Sequence, residues 1–176
     1  MTSLVMTIIG SDRPGLVGSV ARVVTEHGGN WLESRMAHLA GQFAGILRIN
    51  VAPGQIDGLM VALRELESQG LRVVIEQSDS EQTSAGPLLA VMQLTSSDRP
   101  GIVRQVSQTL AEKGVNVEEF HTECVNAPMS GDKLFRARAN LRLPMGVTLV
   151  DLRQELEKIA HDLVADVTLR ESDDTP

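Results

Sequence analysis

At 176 residues with 42% hydrophobic side chains, the chain is long enough for one ordinary domain or two small ones. Aromatics make up only 2%, with no tyrosine, which argues against a base-stacking nucleic-acid surface. The formal net charge of −7 likewise argues against a basic footprint for phosphate backbones.

Leu4 to Ile9 reads as a short apolar, β-branched strand, and a helix is expected from about Pro14 to Gly28. Its apolar positions Leu16, Val17, Val20, Val23 and Val24 share one face. Gly28-Gly29 closes it. Asn30 to Leu39 reads extended, Gly41-Gln42 as a hairpin turn, and Phe43 to Val51 as the next strand. A helix near Gln55 to Gln69 and a strand from Leu71 to Ile75 complete the order β-α-β-β-α-β. A polar, small-residue stretch follows, read as a linker.

The same series then recurs. Strands are expected at Leu88 to Thr95, Asn116 to Val125, Leu134 to Leu143 and Val164 to Leu169. Helices are expected from Gly101 to Lys113 and over the stretch with Leu149, Leu152, Leu156, Ile159 and Leu163 on one side. Ser11-Asp12-Arg13-Pro14-Gly15-Leu16-Val17 returns as Ser97-Asp98-Arg99-Pro100-Gly101-Ile102-Val103. Residues 1–78 and 88–171 are thus expected to be two copies of one unit, with 79–87 between them and 172–176 as a tail. The fold class is α+β: two ferredoxin-like units, each a four-stranded antiparallel sheet with two helices on one face. Small units of this size gain by pairing, and a groove between them is the expected ligand site.

Both copies of the repeat fall at a strand-to-helix turn. Pro14 and Pro100 suit a first helical turn, and Asp12 and Asp98 are placed to cap its N–H groups. Gly15 and Gly101 leave bare backbone that a ligand could approach. The helix start favours a small carboxylate. The plain alternative is a well-made helix cap without a ligand. Asn30 and Asn116, just past the helix-ending glycines, could offer amides to a ligand across an interface, or simply serve as turn residues.

Strand, Asp-Arg-Pro-Gly-Leu-Val, then a helix ending Gly-Gly-Asn or Gly-Val-Asn within β-α-β-β-α-β resembles the ACT domain, a module that binds amino acids and other small metabolites. Two such modules alone, the second with Asn126-Ala127-Pro128-Met129-Ser130-Gly131 before Leu134-Phe135, resemble the glycine-cleavage-system transcriptional repressor-like family. The resemblance implies a cytoplasmic, non-catalytic regulator that senses a small amino acid, glycine being the first candidate, and contacts a transcriptional activator. It implies a ligand shell of Asp12, Arg13, Pro14, Gly15, Leu16 and Asn30, with Asp98, Arg99, Pro100, Gly101, Ile102 and Asn116 as the counterpart. Trp31 and Gly29 are replaced by Val117 and Val115 in the second copy, so the two pockets are not equivalent. A regulatory subunit acting on a metabolic enzyme in trans is the alternative. A similar turn precedes catalytic domains in formyltetrahydrofolate deformylases, but such a domain is not found here.

Arg136, Arg138 and Arg142 alternate with apolar residues, which places a basic stripe on one sheet face. It is either a solvated face paired with Glu118 and its neighbours or a docking surface for an acidic protein partner. His121 and Cys124 would face opposite sides of a strand, so no metal or cofactor is expected. Cys124, the single cysteine, is expected as a small buried thiol, and its solitude excludes an internal disulfide. Neither a membrane span nor a charged leader segment is apparent, and a homo-oligomer is expected.

Overall fold

The computed structural model describes residues 1–77, 88–127 and 131–172. The linker at 79–87, the centre of the 126–131 loop and the tail from 173 lie outside the described residues. The chain divides into two compact units, Met1–Glu81 and Gln82–Pro176.

The first unit runs β1 (Thr2–Ser11), α1 (Leu16–Glu26), β2 (Asn30–Leu39), β3 (Gln42–Val51), α2 (Ile56–Glu65) and β4 (Leu71–Gln77), with 3-10 turns on both sides of α2. The second runs β5 (Leu88–Ser97), α3 (Ile102–Glu112), β6 (Asn116–Asn126), β7 (Lys133–Leu143), α4 (Leu149–Leu163) and β8 (Ala165–Glu171). Each sheet is antiparallel throughout, in the order β2-β3-β1-β4 or β6-β7-β5-β8. The two edge strands of each sheet are therefore β2 and β4, or β6 and β8.

Alternation along the central strands makes one face of each sheet apolar. Leu4, Met6 and Ile8 of β1, with Leu47, Ile49 and Val51 of β3, pack under Val20, Val24, Leu59 and Leu63 of the helices. Met92, Leu94, Leu141 and Leu143 pack under Val106, Leu110, Leu152 and Leu156 in the second unit. Among the described residues the other sheet face carries no helix in either unit.

The β2–β3 turn is Ala40-Gly41 rather than Gly41-Gln42. Both residues have positive φ, 49° and 76°, as a two-residue hairpin of type I′ demands, and Gln42 already pairs with Leu39 and Ser11. Cys124 is exposed, not buried. It sits on β6, an outermost strand whose side chains are almost all exposed, because α3 and α4 cover the inner strands.

Candidate functional site

The repeated heptad forms the same corner twice. β1 ends at Ser11 and α1 begins at Leu16, with Gly15 at the N-cap at φ 90° and ψ −1°. Gly101 holds the same place before α3 at φ 97° and ψ −4°. An L side chain rarely takes this left-handed conformation, so glycine is required by the backbone. Space is not the constraint: a Cβ on either glycine would meet nothing within 4 Å. The prolines stand one residue before the N-cap, so they set the turn and not the first helical residue.

Asp12 and Asp98 do not cap the helices, since neither α1 nor α3 has a side-chain cap or an acid in its first turn. Their backbone instead ties the corner to the neighbouring hairpin: Asp12 N–H donates to the Gly41 carbonyl and Asp98 N–H to the Lys133 carbonyl, both at 2.9 Å. The arginines reach the other way. Arg13 Nη2 donates to the Gln69 carbonyl at 3.0 Å and Arg99 Nη2 to the Asp162 carbonyl at 2.8 Å. Each guanidinium thus satisfies a carbonyl at the C-terminal end of the unit's second helical segment, where such carbonyls lack intrahelical partners.

α4 shows what an ordinary helix start looks like in this chain. Thr148 and Asp151 form a complete capping box, and hydrogen bonds from Thr148 hold the Asp151 carboxyl below the usual carboxylate range. α1 and α3 lack both devices, so their first N–H groups and positive dipole ends are left uncompensated beside an exposed Asp-Arg-Pro-Gly turn. Such an end suits a small anion.

Leu16 and Ile102 are buried in the two cores at 3% and 2% exposure. The next residues, Val17 and Val103, are the exposed apolar ones, at 43% and 42%. The left-handed glycine sets the rotational phase of the helix that follows it, which the bare apolar pattern does not reveal. Asn30 and Asn116 are not at the corners. Asn30 shares a row with Asn50 and Ser3, whereas the corner follows Ser11, in the row of Gln42 and Leu39. Eight residues along a strand separate these rows by about 27 Å. The second unit repeats this separation, with Asn116 opposite Arg142 and Arg142 opposite Leu89. Asn116 also donates to Glu118 at 2.6 Å, and Arg142 lies 3.2 Å from the same carboxylate.

His38 is the neighbour that sequence reasoning left out of the corner. Its Nε2 lies 3.6 Å from Asp12 Oδ2, because the end of β2 is level with the end of β1 across the sheet. The hairpin pairing of Leu39 with Gln42 and of Gln42 with Ser11 was the signal. In the second unit Cys124, paired with Phe135 as His38 is with Phe43, takes that position. The corners therefore share a backbone and differ in the side chain beside it.

The family model described as the ACT domain matches residues 2–76. A UPF0237 protein of Methanopyrus kandleri is 30% identical over 84 residues, 45% of this chain and 91% of that one. The chain belongs to the ACT-domain family. Its two ACT-like units stand in tandem with the same strand order and the same corner. Over 92% of this chain and 86% of the relative, it is 21% identical to a protein of Escherichia coli (strain K12) named glycine cleavage system transcriptional repressor. The crystal structure of an unknown protein from Galdieria sulphuraria matches it at TM-score 0.81 and 28% identity, covering 97% of this chain and 98% of that one.

The arginine stripe lies on the open sheet face of the second ACT unit, opposite the helices. Lys133–Leu143 alternates exposed and buried as expected. Arg142 pairs with Glu118, and Arg136 lies 3.8 Å from Glu123. Arg138, in one row with Gln93 and His121, makes no ion pair among the described residues. Among the described residues no three His, Cys, Asp or Glu side chains converge as metal ligands, and no helix is long and apolar enough to cross a membrane.

Proposed function

We propose that the protein is a non-catalytic, cytoplasmic regulator of transcription that senses a small amino acid, with glycine the first candidate, and acts through contact with a protein partner. One observation carries the ligand half of this reading: both corner helices begin without a cap or a first-turn acid, while α4 in the same chain has both. A ligand carboxylate would take up the vacant N–H groups of Leu16 to Gly18 or Ile102 to Arg104. An ammonium would find Asp12 or Asp98 nearby. Arg13 and Arg99 act by holding the corner to the second helix of the unit, and Val17 or Val103 offers apolar surface to the ligand's carbon atoms. Asn30 and Asn116 enter only when supplied by a different unit from the one whose corner holds the ligand.

The name borne by the Escherichia coli relative supports the transcriptional half. Arg136 and Arg138, with Arg142 behind them, form the face we assign to an acidic partner. The ligand would regulate that contact by binding two arrangements of the protein with different affinity. A thermal-shift screen of the common amino acids tests the sensor: a ligand at 100 times its dissociation constant adds about 2.7 kcal/mol. No shift with any of them would remove the sensing role. A pull-down with and without the hit tests the partner, and substituting Arg136→Glu and Arg138→Glu should weaken capture and spare ligand binding. Capture of a metabolic enzyme in place of a transcription factor would instead favour a regulatory subunit.

A further inference from the structure

The open sheet faces of the two units differ in chemistry. In the first unit the register sets three rows across the sheet: Glu76, Val5, Arg48, Glu33; then Val74, Thr7, Ile46, Arg35; then Arg72, Ile9, Ala44, Ala37. Ile9, Ile46 and Val74 are 37%, 49% and 60% exposed. The positions of Thr7, Ile46 and Val74 are taken in the second unit by Gln93, Arg138 and Thr168. An apolar centre on one sheet and a polar one on its duplicate indicates that the first is used for contact.

We propose that this face of the first unit packs against the same face of a second copy of the chain, related by a two-fold axis running across the strands over the middle row. That axis lays Val74 on Val74, Thr7 on Thr7, Ile46 on Ile46 and Arg35 on Arg35, and sets Val5 over Ile9. It also sets Arg72 opposite Glu76 of the second copy, twice. Both charges are exposed, and neither makes a hydrogen bond or ion pair among the described residues. Arg48 is already paired with Glu33 at 2.8 Å, and Arg35 has a partner within its own chain. An axis along the strands would place Glu76 opposite Glu33 twice and form no opposite pair, whereas the axis across the strands sets two Arg72–Glu76 pairs against the one Arg35–Arg35 contact. Three strands of ten residues and one of seven, at about 3.3 Å per residue and about 4.8 Å apart, give about 600 Å² per copy. Two such faces bury about 1,200 Å², the lower end of specific interfaces. Face-to-face sheets of this kind are a common packing. Isologous contact of one patch with itself is what a two-fold dimer requires.

Sedimentation velocity of the full chain over a wide concentration range reads the association. The wild type should dimerise reversibly. Ile46→Lys should make it monomeric, and Arg138→Glu, on the other sheet, should leave the dimer intact. Arg72→Glu and Glu76→Arg should each weaken the dimer by about tenfold or more. The double charge swap should restore it, since it rebuilds both pairs with their signs exchanged. All these side chains are exposed, and circular dichroism confirms folding of each variant. A wild type monomeric at every concentration, a dimer indifferent to Ile46→Lys, or a double swap no better than the singles would each overturn the proposal. None of these outcomes depends on what the corners bind, so the ligand reading stands or falls separately.

Discussion

Gly18→Asp separates the stability of the first corner from its proposed chemistry. Gly18 is the third residue of α1, is exposed, and a Cβ there meets nothing within 4 Å. Replacing a helical glycine by aspartate recovers only a few tenths of the glycine penalty of about 1 kcal/mol, because aspartate is itself a poor helix former. A carboxylate in the first turn adds about 0.3–1 kcal/mol through the helix dipole. The unit should therefore gain about 0.5–1 kcal/mol, read as a higher urea midpoint. The same carboxylate would stand beside a bound ligand's own. At about 4–5 Å, with a dielectric between surface and bulk values, the repulsion is about 1–2 kcal/mol, or about a 5- to 30-fold loss of affinity by calorimetry. Gly18→Ala is the control, with the propensity gain and unchanged binding. A stabilised aspartate variant that binds the amino acid as well as the wild type would refute the account of the corner. A destabilised one would refute the claim that the helix start is uncompensated.

Val164 follows α4 at φ 49° and ψ 51° and is 84% exposed, whereas the first unit places Gly70 at φ 81° in the matching turn. Val164→Asn should stabilise the second unit by about 1 kcal/mol, because asparagine tolerates this conformation and valine does not, and a lower or unchanged urea midpoint would contradict that. Ala40→Asn, which makes the Asn-Gly pair that two positive φ angles favour, should stabilise the first unit by a similar amount, about 0.5–1 kcal/mol. Hydrogen bonds from Thr148 lower the Asp151 carboxyl, and those from Lys158 and Lys113 lower Glu155. Lowered folded-state values mean that both contributions are complete above the ordinary carboxylate range and disappear as pH falls through the lowered values. Stability of the second unit should therefore drop on acidification. Thr148→Ala should cost about 1 kcal/mol near neutrality through its lost cap. Its deficit should narrow in acid, and a deficit independent of pH would disprove the link.

The duplication, the order of elements and most of the apolar faces were legible in the sequence, because two periodicities and a near-identical repeat carry them. Asn30–Leu39 emerges with the expected ends, and the other strands run one or two residues beyond theirs, except that β8 starts one residue late because Val164 is the left-handed end of α4. The corner was legible only in part. Which of Leu16 and Val17 faces inward depends on the left-handed N-cap at Gly15, a backbone state that no apolar count reports. The distance from Asn30 to Asp12 depends on strand direction: α1 runs back along β1, so a residue just after the helix lies at the far end of the sheet. Cys124 was misplaced because small apolar character does not distinguish an inner strand from an outer one. His38 beside Asp12 followed from the hairpin register once both strands were placed level.

The most direct measurement is an amide-resolved NMR titration of the full chain with glycine and the other small amino acids. Binding as described shifts the N–H resonances of Leu16, Val17 and Gly18, or of Ile102, Val103 and Arg104, saturably and ahead of the rest of the chain. Saturable shifts confined to other surfaces, with both helix starts unmoved, would contradict it.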